Sequence, residues 1–245
     1  MKKTMTKNEL RNEKGSTTLM MMGLLLGIIL MGFVFFDMSS VLMERRISQT
    51  GSDAAAIAAA QEAEKSYQEV LEEETRVELT DLHERTEDYK EDWEESVGDD
   101  ESSVSWGDAF DEWINNLEEE FDDRSMPASI VNYLKGANSG VDIDEAIKFL
   151  WDTDSLSNLV CDAVSSHTEE IREAAQHYAD LNGIENDISI VFPVENGDEG
   201  FKVGVRTKST INDSFLNSVN TEQLKVPAHA IVNIQQPEGM NIICD

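Results

Sequence analysis

The sequence predicts an α+β protein: an N-terminal transmembrane helix continuing into a long helical stalk, a helical middle, and a small antiparallel C-terminal sheet. Three observations carry this. Residues 19–36 form an uncharged apolar run of about 18 residues, enough for a helix to cross a hydrocarbon core of ~30 Å. From Val41 onward, apolar residues recur three, four or seven apart among abundant Glu and Asp, the period of helices buried on one face. Residues 187–194, 201–209 and 225–234 are rich in β-branched side chains and alternate as strands do. The segments are therefore a basic leader (1–18), the span (19–36), the stalk (37–97), an acidic helical region (98–183) and a β region (184–245).

The leader carries Lys2, Lys3, Lys7, Arg11 and Lys14 against Glu9 and Glu13. Of the 19 Lys and Arg in the chain these leave 14, facing 48 of the 50 Asp and Glu, and the net charge is −31. Basic residues beside a span stay in the cytoplasm, so the N-terminus is expected inside and the acidic domain outside the cell membrane. Arg45 and Arg46 argue weakly the other way. Such acidity excludes nucleic acid as a partner, because a binder must replace phosphate counterions with Lys and Arg. It suits a solvated, self-repelling domain outside the cell.

The run is longer than the apolar core of a cleaved signal peptide, and helical pattern continues through residues 37–46 without a small-x-small break. A retained anchor is expected, with the lipid bilayer as its first partner. A prepilin-type leader is the alternative. Gly15 follows the basic leader, and cleavage there would make Ser16 the mature start, although Met20 stands where pilin-like chains usually have Glu. Within the span, Gly23 and Gly27, with Gly32 beyond, form a small-xxx-small pair that can bring two helices close, in a homo-oligomer or with a partner.

Gly15, the apolar run, Asp37, Arg45, Arg46, Gln49 and the Asp53-Ala-Ala-Ala-Ile-Ala-Ala-Ala stretch together resemble the N-terminal module of TadE/TadG-like proteins of tight-adherence (Flp-type) pilus systems. Asp37, Arg46, Gln49 and Asp53 are the motif residues; Thr50-Gly51-Ser52 replaces the family's usual small residues. Tyr178-Ala-Asp-Leu-Asn182-Gly183 resembles the segment that precedes the C-terminal strands of TadG-like chains. The resemblance covers about 50 residues at the start and about 70 at the end, and the acidic middle has no counterpart. It implies a bacterial envelope protein that assembles with other pilus-assembly or pseudopilin proteins, and it carries over no catalytic residue.

Past the span, residues 41–97 read as one helix. Ala54–Ala60 has high helix propensity, and Ile57, Ala60, Tyr67, Val70, Leu71, Leu79, Leu82, Tyr89 and Trp93 mark the inward face. The spacing is too irregular for sustained heptads. Residues 98–103 are a polar break. Ser105 is an N-cap with Asp108 three residues on, opening a helix with an apolar stripe of Trp106, Phe110, Trp113, Ile114, Leu117 and Phe121. Residues 125–128 start a short helix ending at Gly136, and 137–140 form a loop. Asp142 or Asp144 caps a helix to about Trp151. Asp154 or Ser155 opens the next, which is expected to run through Ile171, Tyr178 and Leu181 to a left-handed stop at Gly183. Residues 196–200 are a hairpin turn, and 212–220 a helical turn with Phe215 and Leu216 inward.

Cys161 and Cys244 lie in the part placed outside, where a disulfide is permitted; two free thiols are the other reading. Nothing points to an enzyme. His83, His167, His177 and His229 are scattered, and His167 and His177 are about 15 Å apart along one expected helix, too far to share a metal. There is no phosphate loop, nucleophile elbow or HExxH, and Asp142, Asp144 and Glu145 lack EF-hand spacing. No catalytic residue, cofactor or metal site is expected. The function expected is a structural or assembly role in a tight-adherence pilus or related secretion apparatus. The alternatives are a minor pseudopilin cleaved after Gly15 and an acidic surface module that binds cations or another component.

Overall fold

The structure, a computed structural model, describes residues 9–97, 105–136, 140–184, 188–194, 201–210, 225–237 and 239–244. The leader before Glu9, the polar break at 98–103, the loop at 137–139, the turn at 196–200 and the helical turn at 212–220 lie outside these residues. Among the described residues six helices precede three strands: α1 (Glu9–Val97), α2 (Trp106–Glu120), α3 (Ala128–Leu134), α4 (Ile143–Leu150), α5 (Thr153–Ser166), α6 (Thr168–Leu181), β1 (Ser189–Val191), β2 (Lys202–Thr210) and β3 (Lys225–Asn233). The strands form one small antiparallel sheet in the order β1-β2-β3. The chain divides into two compact units. The first gathers Met1–Ala55, Gln176–Ser189 and Val205–Ala230; the second gathers Ala56–Ala175, Ile190–Gly204 and Ile231–Asp245.

α1 is a single helix that includes the apolar run and the whole stalk segment. It contains no proline, and its glycines are isolated, so nothing in the sequence forces a break. Its apolar part is long enough to cross a membrane, and none of its most apolar stretch is buried by the protein.

The second unit owes its core to side chains at helical spacing. Leu79 and Leu82 of α1 pack with Phe110 and Leu117 of α2, Ile130 and Leu134 of α3, and Phe149 and Leu150 of α4. The α2 stripe splits in depth: Phe110 and Leu117 are buried, while Trp106, Trp113, Ile114 and Phe121 cover the edge. Two indoles find polar partners on α1, whereas the buried Trp93 Nε1 has none. Trp113 Nε1 donates to Thr86 Oγ1 at 3.0 Å, and Trp151 Nε1 to Thr75 Oγ1 at 3.1 Å. Ser105 caps α2 by accepting from the Asp108 amide, and Asp142 caps α4 by accepting from Glu145.

The C-terminal tail is stitched into the same unit. Tyr67 Oη donates to the Gln235 carbonyl at 2.7 Å, Ile242 is fully buried, and the Ile243 amide donates to Ser157 Oγ. Burial pushes the Tyr67 phenol up to about 12, so it remains a protonated donor across the neutral range. Cys161 and Cys244 form a disulfide with Cα atoms 5.7 Å apart.

Four details depart from the sequence reading. α5 opens two to three residues early, because Asp152, and neither Asp154 nor Ser155, caps it: Asp152 Oδ1 accepts from the Ser155 amide at 2.7 Å. The helix expected to run on to Leu181 is broken at His167. There Ser166 Oγ and His167 Nδ1 both turn back on the Ala163 carbonyl, and Thr168 Oγ1 bonds the Ser165 carbonyl. These local side-chain bonds compete with the helical ladder. His167 thus ends α5, and His177 sits within α6. α3 begins at Ala128 behind Pro127, later than read. Ile57, expected inward, is exposed, and so are Tyr178 and Leu181, the last at 68%.

Candidate functional site

The segment of α1 from Asp37 to Ala55 gathers most of the motif residues, and it lies wholly within the first unit. Ser48, Ser52 and Ala55 are buried on one stripe four and three residues apart, and Asp37, also buried, lies three turns earlier on the same stripe. Ser52 Oγ donates to the Ser48 carbonyl and meets Thr207 Oγ1 of β2 at 2.6 Å, a buried hydroxyl pair. Ser48 Oγ, also fully buried, has no hydrogen-bond partner. Gln49 Nε2 donates to Asp53 Oδ1 at 2.9 Å and reaches the His229 carbonyl of β3 at 3.4 Å. Two of the four motif residues therefore bond each other along the helix, and one of them touches the sheet.

Glycine makes the approach possible. A Cβ on Gly51 would sit 2.8 Å from Ile184 Cγ1, and Ile184 is itself fully buried. Gly183, at φ +82°, stops α6 in the left-handed conformation, and the Ile184 amide bonds back to the Ala179 carbonyl. A Cβ on Gly183 would meet Ile47 Cγ2 at 3.6 Å, so the end of α6 lies against α1 at that turn. Gly51, Ser48 and Ser52 were not singled out from the sequence by role. The available signal was the small-residue run Ser48 to Ala56, which reads equally as simple helix propensity.

The remaining motif positions are separate in kind. Asp37 is 6% exposed where the apolar run ends. Arg45 and Arg46 face outward. From Leu19 to Phe36 the large apolar side chains are between 49% and 76% exposed, and a Cβ added at Gly23, Gly27 or Gly32 would meet nothing within 4 Å. Gly15 lies inside α1, as does Ser16. The disulfide belongs to the second unit and is not part of this segment.

Among the described residues no group of three or more His, Cys, Asp or Glu is placed to hold a metal ion. His83 packs against the Tyr133 ring, His177 against Tyr178, and His229 contributes its carbonyl to Gln49. A groove of about 390 Å³ in the second unit is lined by Tyr67, Leu71, Ile147 and Pro237, with Glu72 and Asp144 on its wall. No nucleophile and base are paired in it. What the α1 segment offers is packing geometry: one face closed by protein, the other open.

Residues 15–62 match the family described as putative Flp pilus-assembly TadE/G-like (Tad). The match begins at Gly15, takes in the apolar run and the Asp37–Asp53 segment, and ends in the alanine-rich turns. No curated protein and no solved structure matches the chain. The Tad match suggests a role in Flp pilus assembly, and the long apolar helix fits membrane anchoring.

Proposed function

We propose that this chain is a membrane-anchored structural or assembly component of a tight-adherence (Flp-type) pilus or related secretion apparatus, acting by anchoring and helix packing rather than by catalysis. One observation carries the reading: the residues that match the pilus-assembly family contain both an apolar helix that the protein leaves uncovered and a helix face closed tightly by Ile184 and Thr207. Large apolar surface in that amount needs lipid or other apolar helices around it. The basic leader favours an inside N-terminus and an outside acidic domain. Gly23 and Gly27, one turn apart on the uncovered helix, are the positions at which a second copy or another pilus protein would approach.

A second reading is a minor pseudopilin cleaved after Gly15. It is favoured by the match starting at Gly15 and by α1 running unbroken from there through the apolar residues, which would leave Ser16 at the head of an apolar helix.

In the native cell, removal of this chain is expected to abolish surface pili, and the full chain to restore them. A chain whose residues 19–36 are replaced by a cleavable secretion signal is expected not to restore them. Normal piliation without the chain would refute the assembly role.

A further inference from the structure

Resting on the membrane-anchored reading above, we infer that the first unit sits on the bilayer surface through an apolar collar of Met38, Leu42, Met43 and Leu181, with Arg45 and Arg46 on the lipid phosphates. The membrane contact then extends past the end of the apolar run.

Length is the first argument. Residues 19–36 span roughly 27 Å as a helix, slightly less than the ~30 Å hydrocarbon core. A core that begins at Leu19 therefore ends about half a turn beyond Phe36, near Met38. The headgroup layer adds roughly 5–7 Å on each side, which places Leu42 and Met43 at its outer edge and the Arg45 and Arg46 backbone roughly 4–5 Å above it, a gap that a long side chain reaching down can cover.

Direction is the second. Asp37 is 6% exposed, so protein covers α1 at the depth where the hydrocarbon ends, and the carboxylate does not face lipid. Met38, Leu42 and Arg46 are four residues apart on a different stripe, turned about 100–180° from Asp37. Met38 is 61% exposed, and Leu42 and Met43 are exposed with it. Continuity with the apolar run makes this one surface. Two cations one turn above it match the charge of anionic lipid, and long Arg side chains snorkel to that level. Glu44, in the same turn, offsets one of the two cations, and the acids farther off than about 8 Å are screened.

The third argument is independent of α1. Gly183 lies against Ile47, so the end of α6 reaches the turn just above Met43. Leu181, two residues before Gly183, is exposed, about 120° round α6 from the buried stripe of Ile171, Ala175 and Ala179. A lipid surface at this level explains a large apolar residue left in the open.

The test uses the full chain in vesicles of phosphatidylethanolamine and phosphatidylglycerol. Single cysteines replace Ile28, Leu42, Met43, Leu181 or Gln68, and each is labelled with an environment-sensitive dye under non-reducing conditions that preserve the native disulfide. Emission blue-shifted and lost to doxyl lipids quenching just below the headgroups is expected for M43C, L42C and L181C, and no loss for Q68C. R45E/R46E is expected to weaken quenching at L181C and leave I28C quenched. Quenching at I28C with solvent-like emission at L42C, M43C and L181C would overturn the collar alone. Absence of quenching at I28C as well would overturn the anchored reading and this inference with it.

Discussion

Ser48 and Ser52 lie one turn apart on the same buried stripe of α1, yet their hydroxyls meet different fates. Ser52 pairs with Thr207, whereas Ser48 pairs with nothing. Ser52→Ala leaves the buried Thr207 hydroxyl unsatisfied and is expected to cost about 1–3 kcal/mol. Ser48→Ala removes an unsatisfied group and adds helix propensity, and is expected to be neutral or to stabilise by roughly 0.5 kcal/mol. Gly51→Val forces a side chain into Ile184 and is expected to cost roughly 1–3 kcal/mol, despite the better helix former. Thermal unfolding followed by circular dichroism ranks the three, and equal effects at Ser48 and Ser52 would contradict the packing described. None of this was legible from the motif, because the partners are distant in sequence: Ser52 and Thr207 are 155 residues apart. Asp37, Arg46, Gln49 and Asp53 stand out as a pattern, but the Gln49 bonds to Asp53 and to β3 depend on where the sheet arrives.

Elements were legible wherever a local signal specifies them. Ser105 with Asp108 opens α2, the aromatic stripe sets its buried side, and Gly183 ends α6. The break at His167 was not, because neither glycine nor proline marks it; the bonds of Ser166, His167 and Thr168 to nearby carbonyls end the helix instead. Nor was the exposure of Ile57, since helical period identifies a face without saying what lies against it. Among its described residues the tail after β3 forms no helix or strand, and it is held by Tyr67, Ile242 and the disulfide. The bridged cysteines are 83 residues apart in sequence. Cys161→Ser/Cys244→Ser is therefore expected to lower stability by about 2–4 kcal/mol through the freer unfolded chain. The same loss is expected on reduction of the native protein. An unchanged unfolding midpoint after reduction would show that the tail is held without the bridge.

For the whole molecule, the decisive asymmetry is between a short basic leader, an uncovered apolar helix and an acidic remainder. It sets a strongly charged remainder against a first helix that is not satisfied by the protein alone. It also sets the direction of insertion proposed for the chain. The most direct test is the mass and N-terminal sequence of the protein recovered from native membranes, with protease added to intact spheroplasts. The account predicts an N-terminus that retains the leader and an acidic domain digested from outside. A start at Ser16 would move the chain to the pseudopilin reading, and a start beyond Phe36 in the soluble fraction would contradict membrane anchoring altogether.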